Sequence, residues 1–398
     1  MEEPGEQGTR RAFLDAASGP MLPAARETLL SALDAGWADP RRLHAEARRA
    51  RLLLDQARDV LSAGLGVRPS ELSFLPGGPS ALRAGLEGIA YADRRRGTRL
   101  VASAVEHSTV LTWPGLTWAG PSSRPGADNG PVLIPVDRHA RVHLDAAETA
   151  LAQPEVGVAA VQAANGEVGT RQPLAAVRQI CQRHDIPLVV DAMSSLGRDP
   201  VPTQYDVLAG DARSFGGPPG VGLLVVPERT RWRLPGAPAE GEHGRSDVEP
   251  VIALALAAAE AWQQTEAVRQ REAAGARRLV DQVRAAMALI PDVEVMGDPV
   301  DRLPHVLTFS ALYVDGEALV TELDRHGIAV ASGSACTSST LRPSHVLAAM
   351  GVLTHGNVRL TLPLEALSPD RAHDVARFIE AAPVAIASVR AQLGAGSL

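Results

Sequence analysis

The chain has 398 residues, of which 45% are hydrophobic and 21% charged, a composition that excludes a disordered, collagenous or membrane-spanning protein. All 39 basic residues are arginine, and without a lysine the chain offers no side-chain amine for a Schiff base and no phosphate-loop lysine. A net charge of −7 provides no basic surface for nucleic acid, so we expect no nucleic-acid partner.

Five short apolar runs follow one another along the first part of the chain. Their side chains are apolar without alternation, as a parallel sheet covered by helices on both faces requires. The runs are 99-RLVAS-103, 157-GVAAVQA-163, 187-PLVVD-191, 205-YDVLAG-210 and 221-VGLLVV-226. We therefore predict an α/β fold with a mainly parallel central sheet.

A helix is predicted between the second and the third of these apolar runs. The segment 173-PLAAVRQICQRHDI-186 has apolar residues at helical spacing and Pro173 in its first turn. Cys181 lies on the apolar face of this helix. We predict that it is a core residue rather than a nucleophile.

A much longer helix is predicted over 250–290, opened by a capping box from Ser246 to Glu249. The pattern then changes to shorter segments. We predict strands at 293–297, 305–311 and 328–333 and a helix at 367–386. This change places a domain boundary near residue 263. We predict a large α/β domain over 14–262 and a small α+β domain over 263–398, and we expect the N-terminal segment 1–13 to join the small domain.

The two cysteines, Cys181 and Cys336, are too few for a disulfide framework, and no cysteine or histidine spacing suggests a zinc site. We expect no metal and a reducing, cytoplasmic location. The first residues lack an apolar leader, and no apolar run is long enough for a membrane span, so we expect no membrane partner.

Several sequence motifs occur in a fixed order along nearly the whole chain. Together they resemble the cysteine desulfurase branch of the class V aminotransferases, which are fold type I enzymes dependent on pyridoxal phosphate (PLP). The motifs are 13-FLDAASGPMLP-23, 106-EHSTVL-111, 165-NGEVGTRQP-173, 189-VVDAMSSLGRDPV-201 and 332-SGSACTSSTLRPSHVLAAMG-351, the last followed by 357-NVRLTL-362.

This resemblance implies a large domain whose mainly parallel sheet is sandwiched by helices, and a smaller α+β C-terminal domain. It also implies one role for each of five residues: Asp191 at the pyridine nitrogen, His107 stacked on the ring, Asn165 at the ring oxygen, Arg359 on the substrate carboxylate and Cys336 as the sulfur acceptor.

Structural roles are open alternatives for four of these residues. Asp191 ends a strand and could cap the next element, and His107 begins a helix. Arg359 could belong to an ion pair, and Cys336 could be an inherited thiol without a task.

The chain departs from the family pattern at several cofactor positions. Ser214 replaces the Schiff-base lysine and Arg213 the preceding histidine, within 211-DARSFGGPPGVG-222. Pro79 and Val248 replace two phosphate-binding threonines, and Ser194 replaces a ring-facing glutamine. From these losses we expect no covalently held cofactor, and PLP only as a non-covalent ligand.

Three functions follow from this combination. The leading hypothesis is a sulfur-relay or partner subunit without Schiff-base chemistry, in which Cys336 carries the sulfur as a persulfide. This subunit would form a homodimer, or a heterodimer with an intact paralogue. It would pass the sulfur to an acceptor protein. The second is a structural or ligand-binding homodimer that reuses the old cofactor cleft, with Arg83, Arg213 and Arg359 converging on an anion. The third is an active cysteine desulfurase with non-covalently held PLP.

Overall fold

The computed structural model describes residues 10–114, 130–236, 239–332 and 343–392. Its largest sheet has seven strands in the order β2-β8-β7-β6-β5-β3-β4. These strands are β2 (Leu72–Leu75), β3 (Arg99–Ser103), β4 (Val132–Ile134), β5 (Val156–Gln162), β6 (Leu188–Asp191), β7 (Val207–Asp211) and β8 (Gly222–Val225). The central strands are buried along their whole length, which confirms the predicted helix-covered sheet.

Strand β8 differs from the prediction in its direction. The strands from β4 to β7 are parallel, whereas β8 pairs antiparallel with β7 on one side and with β2 on the other. Only residues 212–221 connect β7 to β8, and a parallel connection needs a longer crossover. The sheet is therefore mainly, but not entirely, parallel.

Helices cover both faces of this sheet. They are α1 (Pro23–Ala35), α2 (Ala45–Leu65), α3 (Gly78–Ala92), α4 (Ser108–Leu111), α5 (Leu144–Leu151) and α6 (Leu174–Arg183). Helix α6 confirms the helix predicted from periodicity, with Pro173 as its N-cap. Cys181 is fully buried in the main core, as predicted, and burial raises the pKa of its thiol to about 12.

The long helix, α7 (Ile252–Met287), begins later than predicted. Its N-cap is Val251, without a side-chain cap. The Ser246 hydroxyl instead accepts a hydrogen bond from the Val248 backbone N–H at 3.0 Å, in the turn before the helix. The predicted capping box is therefore wrong, because Ser246 is used within that turn and Glu249 is paired with Arg41.

After α7 the chain forms a three-stranded antiparallel sheet in the order β12-β10-β9. The elements of this part are β9 (Val293–Val295), β10 (Val306–Ala311), α8 (Gly316–Arg325), β11 (Ile328–Ala329), α9 (His345–Met350), β12 (Asn357–Thr361) and α10 (Arg371–Gln392). Strand β11 is shorter than predicted and pairs with β1 (Ala12–Phe13). The division into domains at residue 263 stays a prediction.

The two sheets bring the functional motifs to one place. Because β3, β5, β6 and β7 are parallel, their carboxyl ends lie at the same edge of the sheet, and the residues that follow them are neighbours there. Strand β12 of the second sheet faces this edge. Among the described residues, no helix is long and apolar enough to span a membrane.

Candidate functional site

A cavity of about 380 Å³ opens at the carboxyl ends of the parallel strands. Most of the residues singled out from the sequence line it, and they come from both sheets and the connecting segments: Pro79, His107, Asn165, Asp191, Ser194, Ser214 and Arg359. The fold thus gathers residues that are up to 280 positions apart in sequence into one cleft.

One predicted site residue that the structure describes, Val248, is not brought into this cavity. Val248 is 54% exposed and lies beside a separate, smaller cavity at the start of α7. Cys336 lies outside the described residues. Both ends of its segment are nevertheless at the cleft, because Ala331 pairs with the backbone of Arg359, and Pro343 and Ser344 line the cavity.

Asp191 is the last residue of β6 and lies at the bottom of the cleft. One carboxylate oxygen accepts a hydrogen bond from the Met193 backbone N–H at 2.7 Å, and no cation pairs with this carboxylate within the described chain. Burial, reinforced by the nearby Asp211, raises the pKa of Asp191 to about 7. A buried acid without a cationic partner is suited to bind a protonated ring nitrogen.

His107 forms another wall of the cleft and is the N-cap of α4. Its Nδ1 accepts a hydrogen bond from the Thr109 backbone N–H at 3.1 Å. Burial lowers the pKa of His107, and His345 and Arg213 lower it further. The imidazole is therefore neutral at pH 7 and offers a flat apolar face, while it also caps the helix.

Asn165 follows β5, and much of its side chain serves the local backbone. Its carbonyl oxygen accepts hydrogen bonds from the N–H groups of Glu167 and Val168, at 2.9 and 2.8 Å. Its Nδ2 donates to the Val105 carbonyl at 3.1 Å. The second N–H of the Asn165 side-chain amide can therefore donate a hydrogen bond to a ligand.

Asp211 was missed by the sequence reasoning, although it ends β7 as Asp191 ends β6. Its Oδ2 accepts a hydrogen bond from the Gly78 backbone N–H at 2.8 Å, at the first turn of α3. Its Oδ1 accepts from both the backbone N–H and the Nε of Arg213, each at 3.0 Å. This carboxylate therefore lies where the resemblance places the phosphate.

Ser214 and Pro79 lie at the same end of the cleft as Asp211. The Ser214 hydroxyl donates to the Asp211 carbonyl at 2.8 Å and caps the local turn. Pro79 is in the first turn of α3, where it has no N–H to donate. Arg213 is the cation at this end. Arg83 belongs elsewhere, since it is not among the residues that line the cavity and its electrostatic neighbour is Glu87.

Ser194 lies on the wall next to Gly166. A Cβ atom built at Gly166 would be 2.4 Å from the Ser194 hydroxyl oxygen. This close approach explains why a residue without a side chain stands between Asn165 and Glu167.

Arg359, on β12, provides a guanidinium on the wall formed by the second sheet. Its side chain is 13% exposed, and its Nη2 is 3.8 Å from the Asp15 carboxylate, beyond hydrogen-bonding distance. Its Nε has no hydrogen-bond partner among the described residues. The predicted alternative, an ion pair, is thus present only as a loose contact, and the guanidinium can accept a ligand carboxylate.

Two further acids line the cavity without having been singled out. Burial raises the pKa of Glu167 to about 7, despite the nearby Ser344 and Arg359. Burial also raises the pKa of Glu106, and Asp191 adds to this effect. One oxygen of each carboxyl group lacks a hydrogen-bond partner within the described chain. Unpaired buried acids indicate a cleft built for a polar ligand.

The described residues contain no group of three or more histidine, cysteine, aspartate or glutamate side chains arranged to hold a metal ion.

Residues 12–366 match the protein-family model described as aminotransferase class-V. The chain is 30% identical over 377 residues to "Cysteine desulfurase IscS" of Dictyoglomus turgidum, across 91% of this chain and 92% of that protein. It is 33% identical over 408 residues to "IscS-like cysteine desulfurase" of Mycobacterium tuberculosis, across 95% of this chain and 97% of that protein.

Solved structures show the same fold. A structure titled "NifS-like protein" aligns with a TM-score of 0.81 at 22% identity and covers 93% of this chain and 98% of that one. The apo structure of a cysteine desulfurase from Thermococcus onnurineus aligns with a TM-score of 0.76 at 20% identity, across 96% and 95% of the two chains. The predicted fold type I architecture is confirmed.

These comparisons contradict the expectation about the cofactor. We expected no covalently held cofactor and PLP only as a non-covalent ligand, whereas the relatives are cysteine desulfurases, which use covalently bound PLP. The expectation gave too much weight to the replaced side chains at Ser214, Pro79, Val248 and Ser194. Asp191, His107 and Asn165, the three residues that the resemblance assigns to the cofactor ring, all line the cleft.

Proposed function

Since the chain belongs to the class V aminotransferases and, within them, to the cysteine desulfurase family, we propose that it is an active cysteine desulfurase that uses PLP. The relatives' names support this function over the sulfur-relay subunit and over the ligand-binding homodimer predicted from the sequence. The observation that carries the proposal is one cavity with an unpaired carboxylate, Asp191, and a loosely held guanidinium, Arg359, on its walls.

Three residues would hold the cofactor ring. Asp191 would accept a hydrogen bond from the protonated pyridine nitrogen, His107 would cover one face of the ring, and the remaining N–H of Asn165 would donate to a ring oxygen. When bound, PLP supplies an electron sink for the bonds around the substrate α-carbon. The buried Asp191 strengthens this effect, because a charge that is removed from bulk solvent acts in a low-dielectric environment.

Arg359 would bind the carboxylate of the cysteine substrate. A guanidinium donates two parallel hydrogen bonds to a carboxylate, which fixes the orientation of the substrate as well as its position. Arg359 lies close enough to Glu167 to oppose the rise in the pKa of that carboxyl, so the two groups interact. A proton on Glu167 would therefore reduce competition for the guanidinium and favour substrate binding.

Cys336 would accept the sulfur. Its thiolate attacks the sulfur of the substrate, the carbon–sulfur bond breaks, and the sulfur stays on Cys336 as a persulfide. The electron pair of the broken bond stays with the substrate carbon, which takes up a proton, so the amino acid leaves as alanine. The ends of the segment containing Cys336 lie at the cleft, which supports this role.

We also infer a dimer and a separate sulfur-acceptor protein. Val248 and Val251 are apolar, more than half exposed and adjacent in sequence to the start of α7. Burial of such side chains against a second subunit is favourable. The heterodimer with an intact paralogue stays a prediction, and the mass in solution, measured by light scattering with and without related desulfurases, distinguishes the two assemblies.

The test is alanine release from cysteine in the presence of PLP, with mass spectrometry of the protein. We expect alanine and the addition of one sulfur atom to Cys336. Cys336→Ser should abolish both. Cys181→Ser is the matched control, and it should keep both because the Cys181 thiol is buried in the core. Wild-type protein that yields no alanine, or sulfur found on Cys181 instead, would overturn the proposal.

A further inference from the structure

Three buried polar groups without partners lie together on one wall of the cavity. Arg198 is 5% exposed; its Nε donates to the Ser214 carbonyl at 2.7 Å, and its Nη1 has no hydrogen-bond partner among the described residues. The Nδ1 of His305 and the hydroxyl of Thr361 also lack hydrogen-bond partners among the described residues. All three residues line the cavity.

The charges around Arg198 do not balance. Glu272 is the nearest acid, but both of its carboxylate oxygens accept hydrogen bonds from Arg371. Arg198 remains 4.0 Å from Glu272, too far for a hydrogen bond. Two buried guanidinium groups thus share one carboxylate, which leaves one positive charge uncompensated within residues 10–114, 130–236, 239–332 and 343–392.

This excess charge has consequences for the neighbouring groups. Burial, opposed by Glu272 and reinforced by Arg371, lowers the pKa of Arg198 to about 10. Burial lowers the pKa of His305 as well, and Arg198 and Arg371 add to this effect. Holding an uncompensated cation inside a protein is costly, and a ligand anion would remove that cost.

The position of these groups relative to Arg359 indicates the kind of ligand. Arg359 and Thr361 are two residues apart on β12, so their side chains point to the same face of the sheet. Val306, next to His305, pairs with Thr361 across β10 and β12. The buried donors are therefore neighbours of the guanidinium that we assign to the substrate carboxylate.

We propose that Arg198, His305 and Thr361 form an anion subsite that binds the second carboxylate of a dicarboxylate ligand, whose first carboxylate is bound by Arg359. An amino acid with an acidic side chain belongs to this class of ligand. The subsite shares Arg359 with the proposed desulfurase function, but its other three residues have no part in that function.

The test compares succinate with butanoate, which has the same four carbon atoms and only one carboxylate, by calorimetric titration of the full-length protein. We expect succinate to bind at least tenfold more tightly. Arg198→Gln should remove this preference, and Arg198→Lys should keep most of it because the charge remains. Arg42→Gln, at a largely exposed side chain, is the matched control and should change neither affinity.

Thr361→Val keeps the inference testable if Arg198→Gln does not fold. It removes one hydroxyl without changing the charge and should weaken succinate several-fold more than butanoate. Equal affinities for the two acids in the wild type, or a preference that survives both Arg198→Gln and Thr361→Val, would overturn the subsite. These outcomes are separate from the desulfurase assay, which measures alanine and sulfur on Cys336.

Discussion

The two ends of the cleft use the same residue type in opposite ways. At the ring end, formed by Asp191, His107 and Asn165, the acid that ends β6 has no cationic partner in the described part of the chain. At the α3 end, formed by Gly78, Pro79, Asp211 and Arg213, the acid that ends β7 is held by two backbone N–H groups and one guanidinium. An unpaired carboxylate remains available to a ligand, whereas a paired one mainly fixes the local structure.

This difference also indicates which end of the cleft contributes more to the affinity for the cofactor. The ring end provides an acid matched to a protonated ring. The α3 end places a carboxylate next to the position of a phosphate dianion, and two negative charges at short distance repel each other. Arg213 offsets part of this repulsion. We therefore expect substitutions at the two ends to change PLP affinity in opposite directions.

The largest expected effect is that of Asp191→Asn. A hydrogen bond to a charged partner contributes about 2–3 kcal/mol, so PLP affinity should fall on the order of a hundredfold. The measurement is the dissociation constant from an absorbance titration. If Asp191→Asn binds PLP as tightly as the wild type, the ring end is not the main anchor.

The same carboxylate should make stability depend on pH in the protein without ligand. Because folding raises the pKa of Asp191 to about 7, the folded state holds its proton more tightly than the unfolded state does. The free energy of unfolding should thus fall as the pH rises from about 4 to about 7.

Asp191→Asn removes this contribution. Relative to the wild type it should gain stability on the order of 4 kcal/mol between about pH 4 and pH 8, measured by urea denaturation. Glu167 titrates in both proteins, whereas Glu106 is coupled to Asp191, so the difference between the two curves reports Asp191 together with its effect on Glu106. Parallel pH curves for the two proteins would show that this carboxylate is already compensated.

At the α3 end, Asp211→Ser should improve the binding of PLP. It removes the negative charge, releases the Gly78 N–H and Arg213, and leaves a hydroxyl to cap the turn. We expect about tenfold tighter binding, which corresponds to about 1.4 kcal/mol. Asp211→Asn, which keeps the size and an acceptor oxygen, should give a smaller gain. Weaker binding in both variants would mean that Asp211 supports the cofactor.

The smallest effect is expected for His107→Asn. Asparagine is a good N-cap, so the start of α4 should be preserved while the aromatic face is lost. Loss of the ring contact should weaken PLP about fivefold, or about 1 kcal/mol. An unchanged dissociation constant would show that the imidazole serves only as a cap.

Much of the fold could be predicted from local patterns. Uninterrupted apolar runs identified the buried strands, and helical spacing identified α6 and the core position of Cys181. The direction of β8 could not be predicted in this way, because apolar runs carry no information on whether neighbouring strands are parallel. The start of α7 was also missed, since Ser246 forms a hydrogen bond in a preceding turn.

Site residues that belong to a sequence motif could be predicted. Site residues whose role depends on a tertiary contact could not. Asp191 was found through its motif, but Asp211 depends on Gly78, which is 133 positions away. One signal was present in the sequence, because Asp211, like Asp191, directly follows an apolar run. Arg198 and His305 gave no such signal, since their lack of partners exists only in the folded protein.

The most direct measurement is an absorbance titration of the wild type, Asp191→Asn and Asp211→Ser with PLP under the same conditions. We predict a bound-cofactor band for the wild type, a much weaker band for Asp191→Asn and saturation at lower PLP for Asp211→Ser. A wild-type protein that leaves the spectrum of free PLP unchanged, at any ratio of protein to PLP, would contradict the conclusion that this cleft holds the cofactor.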